Sequence, residues 1–526
     1  KVFDADLQHW IAKLTEKEIQ LSANLVFRIR KAPWYAGLHQ KNKPPLSNQL
    51  KRVAKQSGLI VPDTPLIFSS KSGDREVQDV HPLHGLVTNK PWDYGLTQSG
   101  LATQVDLAIV CSEQDARQVQ HFLYRMHERA RPGKTEQDYL LDYPGFAQAF
   151  GLPLNVPAPG DPNWFNLNDH GTGNVLQTAK QLGQRLCHAL EAISYKKTGT
   201  VVLIYVPTRW RELNMVQAES EQFNLHDYVK AYAARRGLST QFIREETTRN
   251  QQLCRIRWWL GLALYAKALR TPWRINCIDE ETAYVGIGYS INHEAALGKH
   301  ILLGCSHLYS ARGEGLQFRL GRIENPVIRG KNPFMSEDDA RRTGETIRQL
   351  FFDAKMRLPK RVVIHKRTYF TQDEQRGLCQ GLEGIVNVEL IEINIEESLR
   401  YLASKRNGDS LSIDSFPVPR GTTVVLNGHS VLLWVHGAAP NIAKPNFKYY
   451  QGKRRIPAPL LIRRYSGQSD VVQVASEILG LSKMNWNHFD YYSQLPATLE
   501  SAGAIARVGK YLSAFSSAAY DYRLLI

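Results

Sequence analysis

The sequence predicts an α/β protein with two successive sheets. In the first half of the chain, strand-length apolar runs alternate with amphipathic helical patterns and end in the order strand, helix, strand, helix. After Pro272, three strand patterns follow one another directly, and helices and strands then alternate again. These two orders predict a parallel sheet followed by a mixed sheet, each in its own domain.

The first unit lies in residues 76–274, after a basic extension at 1–75. That extension is interpreted either as a docking arm for a partner or as a solvated basic face. Buried strands are predicted at 105–111 and at 201–207 (VVLIYVP), with helices at 116–130 and 175–195. Because parallel strands need helical crossovers, this alternation predicts a Rossmann-like sheet.

The stretch 224–267 ends this unit and carries four phosphate-compatible side chains. Asn224 is a suitable N-cap, the following apolar residues have helical spacing, and Gly237 can end the helix. His226 and Lys230 are four residues apart and share one face of that helix. Gln241 lies on a β-prone run at 239–244, and Lys267 lies near the end of a helix at 255–268. The four side chains could converge on one anion, although four ordinary solvated residues would give the same pattern.

The second unit, residues 275–526, begins with strands predicted at 283–291, 300–309 and 316–323. A helix at 336–355, the strand RVVIHKR at 361–367, a helix that begins at the Thr371 and Glu374 capping box, and a strand at 386–395 follow. A loop rich in Pro and Arg at 452–470 precedes two final helices. Three antiparallel strands before alternating helices and strands are typical of an RNase H-like fold.

The composition favours one class of binding partner and one cellular compartment. Sixty-six Lys and Arg against fifty Asp and Glu give a formal charge of +16, which favours a polyanionic partner. No apolar run approaches the roughly 18 residues of a membrane span, and no signal peptide is visible. The six cysteines form no C-x-x-C pair, so a reducing cytoplasm is expected.

One motif resembles a phosphate loop but is incomplete. Gly133-Lys134-Thr135 lacks the first glycine of that loop, because Glu128 occupies its position.

Taken together, these residues resemble the MID and PIWI domains of Argonaute proteins, specifically the short prokaryotic Argonautes that lack N and PAZ domains. The resemblance covers about residues 80–526. In that family a Tyr or His, a Lys, a Gln and a second Lys bind the 5′-phosphate of the guide strand, and His226, Lys230, Gln241 and Lys267 match this order and spacing. The resemblance therefore implies a MID domain at 76–274 and a PIWI domain at 275–526.

The resemblance also implies a metal site and a backbone-binding surface. In the family a divalent cation bridges the guide phosphate and the terminal carboxylate, here that of Ile526, with Gln241 nearby; Mg²⁺ or Mn²⁺ is expected. The segment RIPAPLLIRRYSG at 455–467 resembles the PIWI loop that contacts the guide backbone. The residues expected to contact the guide or target backbone are Arg454, Arg455, Arg463, Arg464 and Lys483.

The chain departs from slicing Argonautes at the catalytic carboxylates. Gly288, Arg367 and Gly503 stand where the resemblance places metal-binding residues. Two-metal cleavage needs those ligands, so we expect no catalytic activity from this chain. The alternative is an active nuclease with displaced ligands such as Asp279 or Asp490, although both acids fit solvated positions better.

The resemblance implies guided recognition of nucleic acid, with a 5′-phosphorylated RNA guide and a complementary single-stranded DNA target. Short Argonautes act with an APAZ-containing effector of the sirtuin-like, TIR or nuclease type, in defence against plasmids or phages. Any enzymatic activity would then belong to that partner. A guide-independent binder of single strands is a further alternative, favoured by ten Trp, twenty-three Tyr and the basic charge.

Overall fold

A computed structural model gives the architecture of most of the chain. It describes residues 58–96, 101–133, 140–193, 199–218, 222–276, 281–292, 300–308, 317–323, 325–330, 332–399, 401, 404–407, 410–413, 418–440, 448–450, 457–486, 493–509, 511–512 and 520–525. The helical pattern and basic residues expected before residue 58 lie outside these ranges, as do Arg454, Arg455 and Ile526.

The first half contains eleven short strands and seven helices among the described residues. The strands are β1 (Leu59–Ile60), β2 (Leu66–Ser69), β3 (Glu76–Asp79), β4 (Val105–Cys111), β5 (Leu154–Asn155), β6 (Trp164–Asn166), β7 (Thr200–Val206), β8 (Met215–Gln217), β9 (Gln222–Asn224), β10 (Ser239–Arg244) and β11 (Arg274–Ile275). The helices are α1 (Pro82–Thr88), α2 (Ala116–Tyr124), α3 (Phe146–Phe150), α4 (Val175–Ile193), α5 (Leu225–Ala234), α6 (Glu245–Thr248) and α7 (Leu253–Lys267).

The parallel sheet predicted for this half is confirmed. Its strand order is β10-β7-β4-β5, with β6 also paired to β4, and every pairing is parallel. The side chains of β7 are buried along its whole length, because helices cover both faces of a parallel sheet. The strand predicted at 105–111 has the observed limits, whereas the helix predicted at 116–130 ends at Tyr124 and continues as a 3₁₀ turn.

The second half contains fifteen strands and four helices among the described residues. The strands are β12 (Thr282–Asn292), β13 (His300–Leu308), β14 (Gln317–Ile323), β15 (Val327–Arg329), β16 (Asn332–Phe334), β17 (Arg361–Lys366), β18 (Asn387–Ile395), β19 (Ser404–Asn407), β20 (Ser410–Ile413), β21 (Thr422–Asn427), β22 (Ser430–Leu433), β23 (Ala438–Pro440), β24 (Lys448–Tyr450), β25 (Leu460–Ser466) and β26 (Tyr520–Asp521). The helices are α8 (Glu337–Lys355), α9 (Gln372–Gly381), α10 (Val471–Leu481) and α11 (Ala497–Gly509).

A mixed sheet organises this half, in the order β1-β21-β22-β25-β18-β17-β12-β13-β14-β26. Strands β12, β13 and β14 are antiparallel neighbours, and β17 and β18 then add in parallel to β12, as the RNase H-like pattern predicts. The capping box of Thr371 and Glu374 is confirmed at the start of α9. One expectation was wrong: the loop predicted at 452–470 contains β25, which pairs with both β18 and β22.

The N-terminal part of the described chain joins both halves. Strand β1 pairs with β21 at the edge of the large sheet, and β2 pairs with β11 in a separate three-stranded sheet. The largest apolar core likewise runs from Leu203 of the parallel sheet through Trp273 to Ile462 of the large sheet. The Trp273 indole N–H donates to Lys483 O at 3.0 Å, which fixes this junction. None of the helices described here is long and apolar enough to cross a membrane.

Candidate nucleic-acid interface

Helix α5 positions the first two predicted site residues. The Asn224 side chain accepts a hydrogen bond from the Asp227 backbone N–H at 3.0 Å and so caps the helix. Gly237 adopts the left-handed conformation, with φ of 68°, just after the helix ends. Lys230 lies one turn after His226 on the same side of α5, as the spacing predicts.

Lys230 is buried and directed toward the C-terminal segment. Only 3% of the residue is exposed, and its ammonium group donates to Leu525 O at 2.8 Å. Leu524 and Leu525 pack with Ala231 of α5 and Val508 of α11 in one apolar cluster. The end of the described chain therefore packs directly against Lys230.

Gln241 and Lys267 meet from a neighbouring strand and helix. The Lys267 ammonium donates to Gln241 Oε1 at 2.5 Å, and Lys267 is 3% exposed. Gln241 Nε2 donates to Phe242 O at 2.8 Å. The Phe242 ring lies 4.8 Å from the His226 ring, measured between centroids, so the strand that carries Gln241 also contacts α5. The structure brings the four predicted residues to one place.

Burial and the mutual repulsion of the cationic groups disfavour the charged forms of the three basic side chains at this place. Burial lowers the pKa of Lys230 from 10.5 to about 7, and Asp227 opposes that shift. Burial also lowers the pKa of Lys267 well below its ordinary value, and the nearby Lys230 lowers it further. For His226, whose side chain is 47% exposed, desolvation by the surrounding chain lowers the pKa and both lysines add to the effect. An anion that enters would stabilise all three protonated forms.

The described side chains do not form a metal site by themselves. No cluster of three or more His, Cys, Asp or Glu residues suited to a metal occurs in the described part of the chain. Gln241 Oε1 already accepts a hydrogen bond from Lys267, and two ammonium groups near each other repel a divalent cation. A cation here would need oxygen ligands from a bound phosphate and from the Ile526 carboxylate, which lies beyond the described residues.

The three positions expected to replace catalytic residues also come together. Residues Ile287 and Lys366 are partners in the parallel register of β12 and β17, so Arg367 follows beside Gly288. The backbone of α11 packs against Gly288 so closely that a Cβ atom there would lie 2.6 Å from Ala502 O and 3.1 Å from Gly503 N. A side chain as large as aspartate therefore has no room at position 288 while α11 keeps this position.

This contact predicts opposite effects for two neighbouring glycines. We expect Gly288→Ala to lower the free energy of unfolding by about 2 kcal/mol or more, because the added methyl group meets rigid helix backbone. Gly503→Ala should raise it by up to about 1 kcal/mol, because a Cβ there meets no described atom within 4 Å and alanine favours the helix. Urea titrations of both variants provide the measurement. Equal effects of the two substitutions would contradict the packing described here.

The residues expected to contact a nucleic-acid backbone differ in accessibility. The Arg463 side chain is 50% exposed, and its Nη1 lies 3.8 Å from Glu392 Oε2. The Arg464 guanidinium donates to the backbone oxygens of Ser469 and Gly428. Lys483 does not suit the expected role in this structure, because its buried ammonium donates to Thr64 O and Val80 O and pairs with Asp63 at 2.8 Å. Lys483 instead links the loop between β1 and β2, and the residue after β3, to the second half.

The acids considered as displaced metal ligands form no metal site among the described residues. Asp279 and Asp490 lie outside the described residues. Glu281, two residues after the first of them, pairs with Lys360 at 2.7 Å.

Local sequence patterns do not identify two further residues that lie near the lysines. Arg507 is exposed on α11, and its charge contributes to lowering the pKa of Lys230. The Tyr511 hydroxyl accepts a hydrogen bond from the Asn224 backbone N–H at 2.7 Å, and its ring contacts Phe223 and Tyr228. Both lie more than 270 residues along the chain from α5. The spacing of nearby residues therefore cannot predict their place in the site, and only the fold shows that they lie near α5.

Solved structures share this architecture. The chain aligns over 99% of its length with Clostridium butyricum Argonaute bound to a guide DNA and a 19-mer target DNA, at 14% identity and a TM-score of 0.61. It aligns over 90% with Drosophila Piwi at 12% identity and a TM-score of 0.56, and over 89% with A. aeolicus Argonaute at 16% identity and a TM-score of 0.53. It spans 63% of the first of these proteins and 56% of the other two.

These alignments define the fold as Argonaute-like, and they confirm the α/β class with MID-like and PIWI-like parts. Neither a protein-family model nor a curated protein sequence matches the chain.

Proposed function

We propose that this chain binds the 5′-phosphorylated end of a guide strand and presents the guide for pairing with a complementary strand. The observation that carries the proposal is the convergence of the buried Lys230 and Lys267 with the partly buried Gln241 and the half-exposed His226. Two ammonium groups with lowered pKa values are suited to a group with nearly two negative charges, such as a terminal phosphate. An internal phosphodiester, with a single charge, would balance them less well.

Each side chain has a defined task in this proposal. Lys230 and Lys267 neutralise the phosphate, and Gln241 Nε2 turns from Phe242 O to donate to it. The half-exposed His226 ring stacks on the first base or caps it. A Mg²⁺ or Mn²⁺ ion would screen the phosphate from the Ile526 carboxylate. Base pairing then reads the sequence of the target, as in other guided systems.

The second part of the proposal is that this chain recognises its target without cutting it. Gly288 and Arg367 support this, because the first has no room for a carboxylate side chain and the second is a cation beside it. From the resemblance to short Argonautes we further propose an RNA guide, a DNA target and an associated APAZ-containing effector that responds to target binding in the cytoplasm.

The test is binding and cleavage with one purified preparation. Chain loaded with a 5′-phosphorylated RNA guide should retain complementary single-stranded DNA, release a scrambled strand and leave the target intact in Mg²⁺ and in Mn²⁺. Equal retention of both strands would favour a guide-independent single-strand binder. Guide-dependent cleavage would overturn the non-cutting part, and a DNA guide of the same sequence tests the choice of RNA.

A further inference from the structure

Helix α7, which carries Lys267 as its last residue, ends in a strained turn. The Leu269 N–H donates to Ala266 O at 3.0 Å, and the N–H of the following residue donates to Tyr265 O at 3.3 Å. These are the two hydrogen bonds of a Schellman motif, and Leu269 takes its left-handed position, with φ of 62°. Glycine usually occupies that position, because a Cβ atom makes the left-handed conformation unfavourable. The surrounding structure must therefore hold a leucine there.

The C-terminal segment, residues 520–525, supplies contacts that hold this turn. The Arg523 guanidinium donates through Nη1 to Leu269 O at 2.6 Å. It also donates to both carboxylate oxygens of Asp521, from Nε at 2.9 Å and from Nη2 at 2.5 Å. The Leu269 side chain packs against the apolar cluster that contains Leu525. Only 8% of Arg523 is exposed, so its hydrogen bonds are largely shielded from competition with water.

The same segment also reaches the second lysine and the large sheet. Leu525 O accepts a hydrogen bond from Lys230 Nζ at 2.8 Å. At the other end of the segment, β26 pairs with β14 and forms the last strand of the ten-stranded sheet. The C-terminal segment therefore contacts both helices that carry the lysines of the phosphate site, and its first residues are anchored to the large sheet.

We infer that Arg523 is a positioning residue for recognition of the 5′-phosphate. It acts by holding the strained turn at Leu269, which fixes where α7 ends and therefore where Lys267 lies. The inference rests on the proposed function and deepens it, because it makes the C-terminal segment part of the structure that selects a 5′-phosphorylated guide. Without Arg523 the turn relaxes, Lys267 Nζ moves away from Gln241, and the two ammonium groups no longer face one phosphate.

The test compares the equilibrium affinity for a short single-stranded RNA with a 5′-phosphate and for the same RNA with a 5′-hydroxyl. Arg523→Met has a similar length and donates no hydrogen bond. It should lower the ratio of the two affinities roughly tenfold, as expected when one charge-assisted hydrogen bond is misplaced. Its affinity for the 5′-hydroxyl form should change by less than about threefold.

Glycine at position 269 provides an independent second measurement. Glycine adopts the left-handed conformation without strain, so the turn no longer needs to be held. Adding Leu269→Gly to Arg523→Met should restore the affinity ratio to within about threefold of that of Leu269→Gly alone. A loss of overall stability or of one positive charge would add to the effect of Leu269→Gly and would not be rescued by it.

Arg420→Met is the matched control. Arg420 is a buried arginine beside β21, near the other end of the same sheet, and it donates to Val435 O at 2.6 Å. Its Nε lies 3.3 Å from Asp63 Oδ1, so it too joins a carbonyl oxygen to a carboxylate. Arg420→Met should lower the free energy of unfolding and keep the wild-type affinity ratio.

The possible outcomes separate this inference from the proposed function. An unchanged affinity ratio in Arg523→Met, or equal losses for both RNA forms, would overturn the positioning role while the phosphate preference of the wild-type chain stands. Lack of rescue by Leu269→Gly would likewise overturn the role of the turn. If Arg523→Met does not fold, Arg523→Lys replaces it and should show a smaller loss, because one ammonium replaces a guanidinium that serves three acceptors. Absence of any phosphate preference in the wild-type chain would overturn the proposed function and this inference with it.

Discussion

Replacing Lys230 and Lys267 together with methionine should remove the preference of the chain for a guide that carries a 5′-phosphate. Each lysine would lose a charge-assisted hydrogen bond to the phosphate, and such bonds contribute about 1.5–3 kcal/mol each. The combined loss corresponds to roughly a 100-fold or larger drop in affinity. Equilibrium binding of one oligonucleotide with a 5′-phosphate or a 5′-hydroxyl measures this preference directly.

The variant is also expected to stay folded without a guide. Both lysines are buried, and burial opposes their charge, so methionine removes an unfavourable desolvation while it fills a similar volume. Its melting temperature should be no lower than that of the wild-type chain. Lys71→Met with Lys360→Met removes the same charge from exposed positions and should keep the preference. An unchanged preference in Lys230→Met/Lys267→Met would show that the phosphate binds elsewhere.

The preference for a 5′-phosphate should weaken as the pH rises above about 7. The pKa of Lys230 in the folded chain is about 7, and a bound phosphate raises it because the ammonium form is then paired. Binding at higher pH must therefore take up a proton, which costs up to about tenfold in affinity per pH unit for each lysine that must be charged. We expect a loss of roughly tenfold or more between about pH 7 and pH 9.

The lowered pKa of Lys230 has the opposite effect on the stability of the guide-free chain: stability rises with pH, whereas the phosphate preference falls. The unfolded chain keeps the Lys230 proton up to about pH 10.5, whereas the folded chain releases it near pH 7. The free energy of unfolding should therefore rise with pH between these values as far as Lys230 contributes. Phosphate preference and urea titrations at matched pH values, compared with Lys230→Met, isolate this contribution. A phosphate preference that does not change between about pH 7 and pH 9 would contradict the buried, readily deprotonated lysines.

The sequence predicts local elements well because their limits depend on neighbouring residues. Asn224 caps α5 through a residue three positions later, and Thr371 and Glu374 form their capping box within one turn. The β-prone run at 239–244 coincides with β10. The four phosphate-compatible residues were also predictable, since all lie within one continuous stretch of helix, strand and helix.

Contacts between distant parts of the chain were not predictable from local patterns. Lys230 and Leu525 are 295 residues apart, and the close packing of Gly288 on α11 depends on how a helix crosses a sheet. Lys483 shows the limit most clearly. Its charge suggested a role at the surface, but loop residues beside β1, β2 and β3 supply oxygen partners for its buried ammonium group. A sequence pattern identifies a cation and leaves its surroundings undefined.

We propose above all that the site between α5, β10 and α7 recognises a terminal phosphate. The most direct test is a structure of the chain bound to a short 5′-phosphorylated guide. The terminal phosphate should lie within hydrogen-bond distance of Lys230 Nζ and Lys267 Nζ, with Gln241 Nε2 turned toward it. A guide whose 5′-phosphate lies in solvent, or at any other part of the chain, would contradict the claim.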